Sequence, residues 1–450
     1  MTRWTTALLA LGAGVLAMVA AALYLKPPGG FGALLRGPRI DYVLLALAAG
    51  AFYAPAVWLV RKKPMPAWAM PAILAVGLAA RLMVLAYPPL LSTDIYRYVW
   101  DGKVQAAGIN PYRYLPVDPA LEALRDPGAG ATAIFNNINR AEYAPTIYPP
   151  AAQALFALVG LTAPNIWTMK TVMLAFDLGA TLAGLALLRM ARLPHAQILV
   201  WAWNPLVIWE LTGGGHIDAA AVALSALALL AAARARPTLA GAALAGAVLF
   251  KLLPAALFPA LWRRWDWRTP LAAAALIAAG YACYASVGLR VFGYLPGYAN
   301  EEGLDGSGFM LMRLLALLGP LPPLAGTLYL AAGLLLLAGL AAWIGLGRPL
   351  PAPGPVRATV IARDALILSG ALLAVLSPHY PWYVSMLVLP AIIVPAWSAL
   401  WITLAAPLLY LDANTPDVLW PALVYLPALP LLALDLYVRR APVALAEGAF

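Results

Sequence analysis

The sequence predicts an all-α polytopic membrane protein with about 12 to 14 membrane-embedded helices and one long external loop after the third span. Three observations predict it. Of 450 residues, 64% are hydrophobic and 11% are Asp, Glu, Lys or Arg, whereas a soluble domain carries roughly 25% charged residues. The apolar residues arrive in blocks of roughly 18 to 25, the length a helix needs to cross a hydrocarbon core of about 30 Å. With no water inside that core, each block must close its own backbone hydrogen bonds as a helix. The basic residues, which give a net charge of +10, sit in short clusters between blocks: Arg61, Lys62 and Lys63; Arg189 and Arg192; Arg234 and Arg236; Arg263, Arg264 and Arg268; Arg439 and Arg440.

Clusters placed in this way are topology signals that face the cytoplasm. Once they are set aside, no basic face with interleaved aromatics remains, which argues against a nucleic-acid partner. The single Cys283 excludes a disulfide framework and a cysteine-rich metal site.

In order along the chain, the apolar run at 5–24 exceeds a signal-peptide core of about 7 to 15 residues and reads as an uncleaved first span. Spans at 42–60 and 67–86 follow, so the N-terminus is expected inside and the segment after Tyr87 outside. Lys26, Arg36 and Arg39 run against this topology and are outvoted by the later clusters. Residues 88–149 form the one long polar stretch, and loops of that length are usually functional. Residues 151–162 are too short to span and are expected at the interface, while 165–190, 197–212 and 216–234 span. The block 238–262 lies between two basic clusters and holds Lys251 and Pro254 at its middle, so it reads as a hairpin of two half-helices lining a cavity. Further spans are expected at 270–289, 322–346, 360–378, 383–396, 398–411 and 418–438. The whole chain reads as one transmembrane domain.

Polar residues cost free energy in such a chain, and four segments concentrate them. The long loop opens SerThrAspIleTyrArgTyrValTrpAspGly at 92–102 and continues GlyIleAsnProTyr at 108–112. If it starts as a helix, Asp94 and Asp101 share a face. A carboxylate at the membrane surface can act as general base toward a sugar hydroxyl, or Asp94 can simply cap the helix. The loop ends AsnArgAlaGluTyrAlaProThrIleTyrProPro at 139–150. There Arg140 and Glu142 stand among aromatic and proline residues, as in a carbohydrate or phosphate cleft or an interfacial aromatic belt.

The second segment, TrpAsnProLeu at 203–206, leads into GlyGlyGlyHisIleAsp at 213–218, where glycines allow close backbone approach to a ligand. His216 and Asp218 bind substrate there, or pack and cap the next helix. The third is Lys251, an ionisable group in an apolar stretch, which suits a lipid phosphate unless it snorkels to the surface. The fourth is SerProHisTyrProTrpTyr at 377–383, with His379 as a phosphate ligand or a structural histidine. Three scattered histidines offer no zinc spacing.

The order of these motifs resembles the GT-C superfamily of polytopic glycosyltransferases. In particular it resembles two mannosyltransferase branches, the catalytic subunit of GPI mannosyltransferase I and the bacterial polyprenol-phosphate-mannose-dependent mannosyltransferases of the phosphatidylinositol-mannoside type. It runs from about Thr93 to Tyr383 through ThrAspIleTyr, GlyIleAsnProTyr, ThrIleTyrProPro, TrpAsnProLeu, PheLysLeuLeuPro and HisTyrProTrpTyr. The resemblance implies a hexosyltransferase, with mannose as the sugar, that uses a polyprenyl-phosphate donor and a lipid or glycan acceptor. It also implies inversion and an active site on the periplasmic or external face of a bacterial inner membrane. The family's catalytic base falls on Asp94.

Positive partners for the departing phosphate are expected from Arg140, Lys251 and His379, with Arg97, Asp101, Lys103, Tyr112, Glu142, Tyr148, His216, Asp218 and Tyr380 around the substrate. The eukaryotic branch carries two acidic residues one apart in its first loop, whereas Asp94 here is flanked by Ser92 and Tyr96. No cofactor is expected, and a divalent metal stays an open alternative. Membrane lipids are the remaining partner, and no obligate protein partner is evident. A transporter or lipid flippase is the rival reading, and it would spread charges over several spans.

Overall fold

The computed structural model describes residues 3–24, 40–126, 128, 130, 132–304, 308–347, 349–412 and 418–440. Lys26, Arg36 and Arg39 lie outside them. Every regular element among the described residues is helical. Among the described residues, six helices are long and apolar enough to cross a membrane: Arg3–Tyr24, Asp41–Lys62, Ile166–Met190, Ala325–Gly347, Pro355–Leu376 and Leu419–Tyr437. Two more pairs, Val207–Gly213 with Asp218–Ala233 and Arg268–Ala282 with Ala285–Glu301, pass the same test together but bend by 113° and 111°. Five shorter apolar helices of 10–17 residues also occur among the described residues, including Ala69–Leu85, Pro150–Thr162 and Pro237–Phe250. The chain is therefore a multi-pass membrane protein.

Two helices show the layering. Asp218–Ala233 is buried on nearly every side, packed between Ile166–Met190 and Pro237–Phe250, as expected of a helix that is apolar all round. Ala325–Gly347 lies at the other extreme, with 17% of its apolar window buried and a row of exposed leucines. Such a surface suits acyl chains.

The expected continuous span at 197–212 is instead broken. Leu199–Ala202 ends at Trp203, and the chain resumes as the π-helical segment Val207–Gly213. Pro205 supplies no backbone donor, and Asn204 Oδ1 accepts from the Leu206 amide at 3.0 Å, turning the chain locally. The Asn204 amide group also reaches the hydroxyls of Tyr53 at 3.3 Å and Thr403 at 3.2 Å. The TrpAsnProLeu motif thus works as a buried joint between three elements.

The long loop is not irregular at its start. Residues Asp94–Ala106 form a helix that packs on Pro150–Thr162. The contact is backbone on backbone: a Cβ at Gly102 would lie 2.2 Å from the Phe156 carbonyl oxygen, and one at Gly160 would lie 2.1 Å from that of Gly102. Only glycine fits at these two positions, and their crossing fixes where the first turn, carrying Asp94, points. Further along, Pro237–Phe250 ends at Lys251, whose extended backbone (φ −156°, ψ 138°) precedes the short turns Leu253–Leu257 and Phe258–Leu261.

Charges also occur within the helices. Arg81 pairs with Asp177 through two hydrogen bonds, of 2.6 and 3.0 Å, and its remaining nitrogen donates to the Ala202 carbonyl at 2.7 Å. Asp177 further accepts from Trp201 Nε1 at 2.9 Å and from the Thr212 hydroxyl at 3.1 Å. Lys170 donates to the carbonyls of Val84, at 2.7 Å, and Tyr87 at the end of Ala69–Leu85. Polar residues therefore also occur inside the helical body, outside the four segments that concentrate them. All three groups sit on helices, and burial is tolerated because Arg81 and Asp177 pair with each other while Lys170 is held by backbone carbonyls.

A candidate glycosyl-transfer site

Asp94 opens its helix at the positive end of the helix dipole, where a carboxylate is favoured. Its amide donates to Ser92 Oγ at 3.3 Å, and Asn139 Nδ2 donates to its Oδ1 at 2.8 Å. The side chain is 18% exposed and faces a cavity of about 410 Å³. Arg97, Arg140, Tyr148, Lys251, His379 and Tyr380 line the same cavity. Four chain segments, distant in sequence, thus meet at one place.

The cationic groups are held by acidic partners. Arg140 has a left-handed backbone (φ +56°), a conformation that costs a non-glycine residue about 1 kcal/mol or more. Its Nε contacts Glu301 at 2.6 Å and its Nη2 donates to the Tyr380 hydroxyl at 3.4 Å. Glu301 also accepts from the hydroxyls of Tyr294 at 2.9 Å and Tyr143 at 3.2 Å. Lys251 Nζ reaches both oxygens of Asp218, at 2.9 and 2.8 Å, and sits 4.0 Å from the ring centroid of Tyr383. His379 Nε2 lies 3.0 Å from the Gly308 carbonyl, and its Nδ1 lies 3.9 Å from Glu302. Burial raises the Glu302 carboxyl above its ordinary range, against the opposing pull of the Tyr298 hydroxyl, His379, Lys251 and Arg140. Burial, and then the Asp94 charge, keep the Tyr148 phenol well above its ordinary range, so it stays protonated.

Aromatic rings build the remaining wall. His216 stacks on Trp382 at 4.0 Å, and Trp382 stacks on Tyr380 at 4.7 Å, so one column of rings runs from behind Asp94 to the cavity rim. Flat aromatic faces of this kind suit the apolar faces of a sugar ring. Among the described residues no group of three or more His, Cys, Asp and Glu side chains is arranged to hold a metal ion.

The other predicted site residues lie outside the cavity wall. Asp101 pairs with Arg97 at 2.8 Å and accepts from Gln153 at 2.9 Å, bracing two helices. Lys103 pairs with Asp126 at 2.5 Å. Tyr112 donates to the Tyr148 carbonyl at 2.6 Å, and Glu142 is exposed. His216 stands behind Asp94, and Asp218 stands behind Lys251.

Sequence reasoning missed Asn139, Glu210, Tyr298, Glu301, Glu302 and Tyr410. Of these, Glu210 carried a usable signal, as a lone acid in an apolar block, the same argument that singled out Lys251. Glu301 and Glu302 belong to a stretch between predicted spans that drew no expectation.

A polytopic helical body with a carboxylate, paired cations and an aromatic wall around one cavity has the parts of a membrane enzyme that acts on sugars. The family model for the MptA_B family, described as alpha-(1->6)-mannopyranosyltransferase, N-terminal domain, matches residues 2–266. That is more than half of the chain, which therefore belongs to this GT-C-type mannosyltransferase family and is a glycosyltransferase. No curated protein and no solved structure gives a match. Family membership decides for an enzyme over a transporter.

Proposed function

We propose that this protein transfers a mannosyl group from a polyprenyl-phosphate carrier to a hydroxyl of a lipid or glycan acceptor, with inversion, at the periplasmic or external face of a bacterial inner membrane. The observation that carries the proposal is the shared cavity, which has Asp94 on one wall and Arg140, Lys251 and His379 on the others.

In the displacement, Asp94 takes the proton of the acceptor hydroxyl, whose oxygen attacks the anomeric carbon. The bond from that carbon to the phosphate oxygen breaks, and its electron pair leaves with the lipid phosphate. Charge grows on that phosphate as the bond breaks, so fixed cations aimed at it lower the barrier. Arg140 offers a fork that matches two phosphate oxygens, while Lys251 and His379 act as compact charges. Arg97 and Lys103 are occupied by Asp101 and Asp126 and rank below them. One displacement that yields an α product requires a β-linked donor.

The external placement is supported by two considerations. The cavity lies beyond Leu85, at the end of Ala69–Leu85 away from the Arg61–Lys63 cluster, and such clusters stay in the cytoplasm. A donor used on the far side must be carried by lipid, since activated nucleotide sugars are cytoplasmic.

The test is a transfer assay with reconstituted protein, synthetic polyprenyl-phosphate mannose and octyl α-mannoside. Asp94→Asn is expected to lower kcat by about 10²- to 10⁴-fold, the range for losing a general base, while the variant stays folded. Undiminished turnover by a folded Asp94→Asn would remove Asp94 from the mechanism.

A further inference from the structure

Behind Asp94, on the side away from the cavity, an imidazole lies between two carboxylates. His216 is 1% exposed. Its Nδ1 is 3.8 Å from Asp94 Oδ2 and its Nε2 is 3.4 Å from Glu210 Oε2. Among the described residues neither ring nitrogen has a hydrogen-bond partner, an uncommon state for a buried polar group and one that asks for a reason. Glu210 is also buried, and the Tyr410 hydroxyl donates to its two oxygens at 2.9 and 2.8 Å. The face of Trp382 covers the imidazole at 4.0 Å, a position from which a ring stabilises a cation.

The backbone is shaped to make this arrangement. Glu210 sits in the π-helical turn Val207–Gly213, a form concentrated at functional sites. The His216 amide donates back to the Glu210 carbonyl at 3.2 Å. A Cβ at Gly214 would lie 2.7 Å from His216 Cδ2. At Gly215 (φ +68°) a Cβ would lie 2.6 Å from the side chain of Ile95, the neighbour of Asp94. The glycine run therefore folds His216 back over the turn of Glu210 and against the helix of Asp94, and the space it opens is filled by protein.

We infer that Glu210 and His216 form a positioning pair that receives, through Asp94, the proton removed from the acceptor. This rests on the reading of Asp94 as the base. While Asp94 is ionised, its carboxylate faces the lone pair of Nδ1, and the two stay beyond hydrogen-bond distance. Once Asp94 has taken the acceptor proton, its hydroxyl turns to Nδ1 and hands the proton over. The resulting imidazolium is balanced by Glu210 on the other nitrogen and by the Trp382 face. After the glycosylated product leaves, the proton returns through Asp94 to solvent in the cavity. His216 and Glu210 touch no substrate; they act by making the protonated state of the base easier to reach.

The pair is tested by separating shape from charge at residue 210 in the reconstituted full-length protein, with polyprenyl-phosphate mannose as donor and octyl α-mannoside as acceptor. Glu210→Gln keeps the shape and the contact with Tyr410 but loses the charge, and it is expected to lower kcat about 10- to 100-fold with donor KM within about twofold. Glu210→Asp keeps the charge and is expected to recover much of that loss. A merely structural residue would rank the two variants the other way. Tyr410→Phe, which leaves every charge in place, is expected to lower kcat a few-fold and serves if Glu210→Gln folds poorly. Wild-type kcat in Glu210→Gln, an aspartate variant slower than the glutamine one, or a loss confined to KM would overturn the inference. No transfer by the wild-type protein from the carrier-linked sugar would overturn the proposed donor as well.

Discussion

Arg140 and Glu301 meet at 2.6 Å across 161 residues of chain. This pair ties the last part of the long loop to the segment Leu295–Glu301, and it occupies the guanidinium fork that a phosphate would use. A donor phosphate must therefore compete with the Glu301 carboxylate.

The competition gives opposite effects for the two partners. Arg140→Gln is expected to raise donor KM about tenfold, equivalent to about 1.4 kcal/mol. Glu301→Gln is expected to lower donor KM by about twofold to fivefold, because it frees the fork. Initial-rate measurements over a range of carrier-linked donor check both, and a matching rise in KM for the two variants would mean that the pair serves only structure.

At Lys251, charge and ring contact can be separated. Lys251→Met removes a cation from the cavity and leaves Asp218 unpaired, so kcat/KM for the donor is expected to fall about 10²-fold. Tyr383→Leu keeps the cation and removes the ring beside the ammonium, a contact worth about 1 kcal/mol, together with the hydroxyl contact to Tyr298, and is expected to cost about fivefold. A Lys251→Met variant with unchanged kcat/KM would exclude Lys251 from donor binding.

The buried pair Arg81 and Asp177 makes a prediction about stability. Removing one partner leaves an uncompensated charge inside the helical body, so Arg81→Met is expected to cost about 3 to 5 kcal/mol. Arg81→Met combined with Asp177→Leu is expected to cost less than Arg81→Met alone. Thermal unfolding in detergent distinguishes the two cases, and simple additivity would show that the charges do not interact.

Glu302 links stability to pH. Its carboxyl is raised by burial, so the folded state holds the proton at pH values where the unfolded chain has lost it. Its contribution is full below the ordinary carboxylate range, near pH 4, and is lost as pH rises through the elevated folded value. The melting temperature of the wild-type protein relative to Glu302→Gln is therefore expected to fall on going from about pH 4 to pH 7. A difference that does not vary with pH would refute the shift.

How far the sequence reached is best judged residue by residue. It marked Asp94, Arg140, Lys251 and His379 because a charge in or beside an apolar block is conspicuous in one dimension. Glu210 was conspicuous in the same way and was passed over. Glu301 could not be singled out, since its importance comes from lying against Arg140, and no periodicity records that distance. The glycine run at 213–215 was read as room for a ligand, but it makes room for His216 itself.

By itself, the sequence determined the environment and the helical class of this chain. Block length and scarcity of charge are local properties, and a hydrocarbon solvent leaves the backbone few other forms. It also placed a carboxylate at the start of the loop. Only the tertiary structure decided which charges neutralise one another, which of them face the cavity, and that a buried imidazole stands between Asp94 and a second acid. Those are matters of a few ångströms between residues far apart in the chain, set by how helices cross at Gly102 and Gly160 and where they break at Pro205 and Lys251.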